Sequence, residues 1–182
     1  MDVATGEQPA SRTASAAAEA FRALADQHLD AAYRLARVIL RDEAEAQDAT
    51  HDAFVQAWRK WSTLRDPDRF EAWFDRILVN ACKDRLRRSN RFLARDISAE
   101  LERPADGDPF ASTHERDAID QALATLSADH RAVVALRFDR DLSVDEIARR
   151  LDIPSGTVAS RLHYALQKLR DVIGTAAGEV LT

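Results

Sequence analysis

Apolar residues recur along the first half of the chain at the three- and four-residue spacing of helices. From Phe21, the positions Leu24, His28, Ala32, Leu35, Ala36 and Ile39 keep one face up to Leu40, with His28 as a structural boundary residue. Asp42 followed by Glu45 reads as a capping box opening a second helix that runs to about Trp61. Ala46, Ala49, Ala53, Phe54, Ala57, Trp58 and Trp61 make its broad buried face, leaving Asp48, His51, Asp52, Val55 and Arg59 outward. Pro67 keeps 62–68 a loop. A third helix, about 69–88, places Phe70, Trp73, Phe74, Ile77, Leu78 and Ala81 on its apolar side.

The same period returns after residue 115. One helix runs through Ile119, Leu123 and Leu126; Ser127 caps another with apolar Val133, Val134, Leu136 and Phe138. Ser143 and Glu146 form a further capping box, so a helix starts near Val144 with Ile147, Ala148 and Leu151 as its stripe. Asp152 stands where the chain turns sharply, a position glycine fills best and Asp or Asn tolerates. Pro154 suits the first position of the next helix, whose buried face is Val158, Leu162, Ala165 and Leu169. Its other face carries Thr157, Ser160, Arg161, Tyr164 and Lys168. Small hydroxyls, a cation and an aromatic on a second helix after a tight turn suit major-groove readout. An ordinary hairpin with a solvated face is the plainer alternative.

The segment 92–115, with Pro104, Gly107, Pro109 and scattered acids, has no period and reads as an acidic, flexible linker. The expected architecture is therefore all-α: helical domains at 19–91 and 116–173, a mobile tail at 1–18 and a short tail at 174–182. At ~3.3 Å per residue the linker spans up to about 80 Å, or roughly 23 base pairs of duplex.

With 182 residues, 46% hydrophobic, the chain can build cores for one ordinary domain or two small ones. Cys82 is its single cysteine, so no intrachain disulfide forms and a reducing compartment is expected. No apolar run reaches the ~18 residues of a membrane span and no signal-like start is present, which points to a cytoplasmic, soluble protein without a membrane partner. A net charge of −5 argues against a nucleic-acid partner until its distribution is considered. Arg76, Lys83, Arg85, Arg87, Arg88 and Arg91 face one acid, Asp84, within 76–91, whereas 93–115 holds six acids and two bases. Arg76, Asn80, Lys83 and Arg87 share one helical stripe, a pattern that suits an unstacked strand. Asp48, His51 and Asp52 could hold a divalent ion, but no second donor set completes a shell. No catalytic residue, cofactor or metal site is expected.

These runs together resemble an extracytoplasmic-function (ECF, group IV) sigma factor of bacterial RNA polymerase. Leu126-Ser-Ala-Asp-His-Arg-Ala-Val-Val, Leu142-Ser-Val-Asp-Glu-Ile-Ala and Gly156-Thr-Val-Ala-Ser-Arg-Leu-His-Tyr-Ala-Leu-Gln-Lys-Leu-Arg170 are similar to sigma domain four. The run 42–58, followed by Trp73-Phe-Asp-Arg-Ile-Leu-Val-Asn-Ala-Cys-Lys-Asp-Arg-Leu-Arg-Arg88, is similar to domain two. The resemblance implies a subunit that binds core RNA polymerase, recognises minus-35 and minus-10 elements and helps melt the DNA. It implies that Asp48, His51, Asp52, Phe54 and Trp58 dock on the clamp helices of the largest polymerase subunit. Arg76, Asn80, Lys83, Asp84, Arg87 and Arg88 would engage the minus-10 element and its melted non-template strand, and the loop 62–69 a flipped base. Ser155, Thr157, Ala159, Ser160, Arg161, His163 and Tyr164 would read the duplex minus-35 element. Further implied partners are the polymerase flap region and an anti-sigma factor.

The chain departs from the family pattern at three places. His51 stands where Gln is usual, which puts an imidazole on the docking face. Ala159 and Tyr164 stand where Lys or Arg is common, so fewer cations face the minus-35 DNA and recognition there is expected to be weaker or to lean more on shape. Asp152 replaces the usual turn glycine. Two rival readings make different predictions. A dimeric helix-turn-helix regulator acting without polymerase would bind free duplex tightly and salt-dependently; a hydrolase using Asp48, His51 and Asp52 would hold a metal.

Overall fold

In the computed structural model, which describes residues 9–95 and 114–179, all regular structure is helical. The first half contains α1 (Pro9–Leu40), α2 (Glu43–Arg59), two short 3-10 turns (Trp61–Thr63 and Pro67–Arg69) and α3 (Phe70–Arg95). The second contains α4 (His114–Ala124), α5 (Ala128–Phe138), α6 (Val144–Leu151) and α7 (Ser155–Glu179).

Alanines make the first half close. Ala46, Ala49, Ala53 and Ala57 line the buried side of α2 with no exposed surface, and so small a ridge lets α1 and α3 approach its backbone. Leu35 and Ile39 of α1 fill the space beside it, while Phe74 stacks on Phe54 at 4.3 Å and on Phe70 at 5.5 Å. Offset rings of this kind add about 0.5–1.5 kcal/mol beyond their buried area. In the second half α7 packs on α4, α5 and α6, through buried Val158, Leu162 and Ala165.

Several boundaries differ from the periodicity reading. Helix α1 begins at Pro9, inside the segment read as a tail, because the run of alanines before Phe21 has high helix propensity. Helix α3 continues to Arg95 and α4 starts at His114, since 92–95 holds no breaker; the flexible linker expected there lies otherwise outside the described residues. Helix α7 runs through Gly174 to Glu179, beyond the expected end of the domain. Asp42 accepts from Glu45 N–H, but the Glu45 carboxylate turns to Arg85, so the capping box there is half formed. Pro154 sits one position earlier than expected, as the cap whose carbonyl accepts from Val158.

Three residues expected in the core are exposed. Trp58 is 46% exposed, covered on one side by the Phe21 ring at 5.2 Å. Phe138 ends α5 beyond the buried Leu136, and Ile119 yields its place on α4 to Ala122.

The halves are joined by more than sequence. Helix α5 packs on α1 and α6 on α3, and Ala132, Val133, Leu136 and Ile147 belong to the same apolar cluster as Leu35, Ile39, Phe70 and Leu78. Arg131 of α5, 8% exposed, donates from Nε to the Ile39 carbonyl at 2.7 Å and from its guanidinium to the Leu126 carbonyl at 2.5 Å.

Candidate nucleic-acid interface

The turn between α6 and α7 forms as its residues dictate. Ser143 accepts from Glu146 N–H, and the Glu146 carboxylate takes the Ser143 N–H at 2.8 Å, which completes the box. The Ser143 hydroxyl, donating to the same carboxylate at 2.6 Å, and then the Ser143 N–H hold the exposed Glu146 carboxyl below its usual range. Asp152 adopts φ 56°, ψ 50°, the left-handed conformation the turn requires. Helix α7 then presents Ser155, Ala159, Ser160, His163 and Tyr164 as exposed side chains, with Thr157 and Arg161 half-buried. Ser155 donates to Asp145 at 2.8 Å, and Ser160 to the Thr157 carbonyl at 3.0 Å. Tyr164 stacks on His130 at 4.7 Å, while the Ser127 hydroxyl meets His130 Nδ1 at 2.9 Å. Burial, then the nearby Arg161 charge, lowers the His130 pKa against the pull of Asp129.

The α3 stripe is present, and the structure gives its cations partners. Asn80 and Arg88 are exposed, and Arg87 pairs with Asp84 at 2.7 Å. Arg76 reaches Asp152 at 2.7 Å, across to the turn before α7. Lys83 meets Asp129 at 2.6 Å, and the same carboxylate takes Arg161 from α7 at 2.8 Å. Burial by itself would raise the Asp129 carboxyl, but Lys83 and Arg161 hold it below the usual range. Expected minus-10 and minus-35 residues are thus brought within one carboxylate of each other.

On α2, Asp48, His51 and Asp52 are exposed, Phe54 is half-buried and Trp58 stands out. Arg85 of α3 lies among the acids, bonded to Glu45 at 2.6 Å, Asp48 at 2.8 Å and Asp52 at 3.0 Å. A guanidinium therefore stands where a divalent ion was the rival reading for two of these carboxylates. His51 and Phe54 border a mainly apolar hollow of about 380 Å³ with Leu29, Tyr33 and Thr50.

Sequence reasoning missed the residues that join the halves. Asp75 of α3 has no exposed surface. It accepts from Arg140 at 3.2 Å and from Arg150, while Glu71 takes Arg140 at 2.8 Å and lies 3.6 Å from Arg150. Burial raises the Asp75 carboxyl against the opposing pull of the two arginines. A signal was available: Asp75 precedes buried Leu78 by three and Cys82 by seven positions, on the apolar side. Its partners, 65 and 75 residues away, had no such mark.

Two family descriptions match the chain, Sigma-70 region 2 over residues 24–92 and Sigma-70 region 4 over 122–171. The chain is 37% identical over 168 residues to the ECF RNA polymerase sigma factor SigL of Mycobacterium tuberculosis, covering 88% of this chain and 92% of SigL. Among solved structures it is similar to CnrH in complex with the cytosolic domain of CnrY, at 27% identity and TM-score 0.62 over 87% of this chain and 95% of that one. It shares its fold with the sigma factor RpoE of Bartonella quintana, solved with the anti-sigma factor NepR, at 24% identity and TM-score 0.72 over 85% and 96% of the two chains. With both sigma regions in order and a relative matched over nearly its whole length, the chain belongs to the ECF RNA polymerase sigma factors, which direct promoter-specific transcription.

Proposed function

We propose that three surfaces divide the work of this sigma factor. The outer face of α2, with Asp48, His51, Asp52, Phe54 and Trp58, docks on the clamp helices of core polymerase. The α3 stripe, with Arg76, Asn80, Lys83, Asp84, Arg87 and Arg88, engages the minus-10 element and its parted non-template strand. The face of α7, with Ser155, Thr157, Ala159, Ser160, Arg161, His163 and Tyr164, reads the minus-35 duplex. The observation that carries this reading is the two-sided character of α7: Val158, Leu162 and Ala165 are buried, while Ala159, Ser160, His163 and Tyr164 stand exposed opposite them. Short side chains there allow a helix to reach a groove floor.

The work is binding and positioning rather than catalysis, and its place is the cytoplasm, beside the polymerase. The reading also expects a protein inhibitor, an anti-sigma factor; the solved complex of CnrH with the cytosolic domain of CnrY supports it, as a similar fold holding a second protein. Transcription in vitro with purified core polymerase on a candidate promoter tests the whole. Arg161→Ala is expected to lower upstream-element selection and leave core binding unchanged. Equal loss of polymerase association would overturn the assignment.

A further inference from the structure

We infer that His130, on the first turn of α5, is a positioning residue for upstream-element reading: its ring sets the Tyr164 ring of α7, and the sharpness of base selection depends on that pair. This deepens the reading of α7 proposed above and rests on it.

The pair is built from the helix cap upward. Ser127 starts α5, its hydroxyl oxygen accepting the His130 backbone N–H at 3.3 Å. The same oxygen lies 2.9 Å from His130 Nδ1, so one hydroxyl ties both the backbone and the ring of His130. That ring lies 4.7 Å from the Tyr164 ring, centroid to centroid, at an interplanar angle of 26°, inside the range where offset stacking is favourable. Burial, then the Arg161 charge, holds the imidazole below its usual pKa, so it stacks as a neutral ring above about pH 7. Asp129, the preceding residue, takes Arg161 at 2.8 Å. Arg161 and Tyr164 stand three apart on α7 and so are neighbours on its surface. One turn of α5 thus braces the cation and the aromatic of that face side by side.

The stack is not what closes the core. Val133 and Leu136 of α5 are buried in one apolar cluster with Val158 and Leu162 of α7, whereas Tyr164 is 46% exposed. What the stack supplies is a defined ring position at the surface. A tyrosine left free on a helix face must be ordered when it binds, and it yields to a mismatched base by swinging aside. A ring braced from the α5 side is already ordered and resists that displacement, so the penalty for a wrong base pair is kept. With nearly half of the residue still open, it retains surface for the DNA. A stacked pair of this kind corresponds to roughly a two- to tenfold change in an equilibrium.

The test uses the full chain with core polymerase. The wild-type holoenzyme first selects its upstream element from a randomised duplex library, and affinities are then measured for every single base-pair change in that element. Tyr164→Ala marks the positions at which the tyrosine discriminates. His130→Ala should lower discrimination at those positions by roughly two- to tenfold, and not at the others. His130→Phe, which keeps a ring without the Ser127 bond, should restore most of it. His130→Ala with Tyr164→Ala should behave as Tyr164→Ala alone. Full discrimination in His130→Ala, an additive loss in the double variant, no rescue by His130→Phe, or a uniform loss at all positions overturns the positioning role. Nuclear Overhauser contacts between the His130 and Tyr164 ring protons of the wild-type chain need no variant to fold, and their absence overturns the stack itself. If Tyr164→Ala marks no position while Arg161→Ala does, the role of His130 fails and the reading of α7 stands. If both leave selection unchanged, the failure lies with the assignment of α7 to the upstream element.

Discussion

Arg131 on α5 donates to the carbonyl of Ile39 in the last turn of α1, so a cation from one half closes a helix end in the other. Carbonyls of a final turn lack intrahelical donors and carry partial negative charge. Burial, with the repulsion of Arg41, pushes the Arg131 pKa down to about 10, and the group stays charged at neutral pH. Replacing it with Met would leave the Ile39 and Leu126 carbonyls without this donor. A hydrogen bond to a charged group contributes about 1.5–3 kcal/mol, so Arg131→Met should lower urea-unfolding stability by about 2–4 kcal/mol. Arg131→Lys should recover only part of it, because an ammonium lacks the fork that reaches both carbonyls.

Acid should loosen the Asp129 junction in a defined direction. Its folded pKa lies below the unfolded value of about 3.9. The stabilisation is therefore complete above that unfolded value and is lost as pH falls through the lower folded one. Asp129→Asn should flatten the acid limb of a plot of urea midpoint against pH below about pH 4. An unchanged limb would show that Lys83 and Arg161 gain nothing from the carboxylate.

The Ser143–Glu146 box is a local device with a local cost. Ser143→Ala removes the acceptor for Glu146 N–H, and such substitutions cost about 1 kcal/mol. For a chain of this size the melting temperature should drop by about 2–4 °C. Upstream-element selection should weaken with it, since α6 sets the angle at which α7 leaves the turn.

Cys82 is fully buried, and burial pushes its thiol up to about 12. Only the thiolate reacts at a useful rate. The folded chain should resist iodoacetamide at pH 8 and label fully in urea; rapid labelling of the folded chain would mean that the α3 core opens.

Much of this fold was legible because its signals are local. The Ser127 cap and the Ser143–Glu146 box declare themselves within four residues, and the spacing of Val158, Leu162 and Ala165 names one side of a helix. Periodicity tells which side is apolar but not how far a neighbour covers it, hence exposed Trp58, Ile119 and Phe138. The candidate site was legible as a set of faces, because α7 and the α3 stripe follow from period and charge. Their meeting was not. Asp129 with Lys83, or Asp75 with Arg140, are pairs chosen by three-dimensional packing, and a row of charges along a chain does not say which acid a base will meet.

Arg85 couples two of the faces mechanically. One rigid planar group on the α3 helix is pinned by three carboxylates spread over two turns of α2. On the proposed docking of polymerase to α2, a twist of that helix would pass to α3 through this guanidinium instead of being absorbed by loose side chains. Under that proposal, grip on the enzyme and the aim of the proposed strand-binding stripe turn as a single part, like a crank on its shaft.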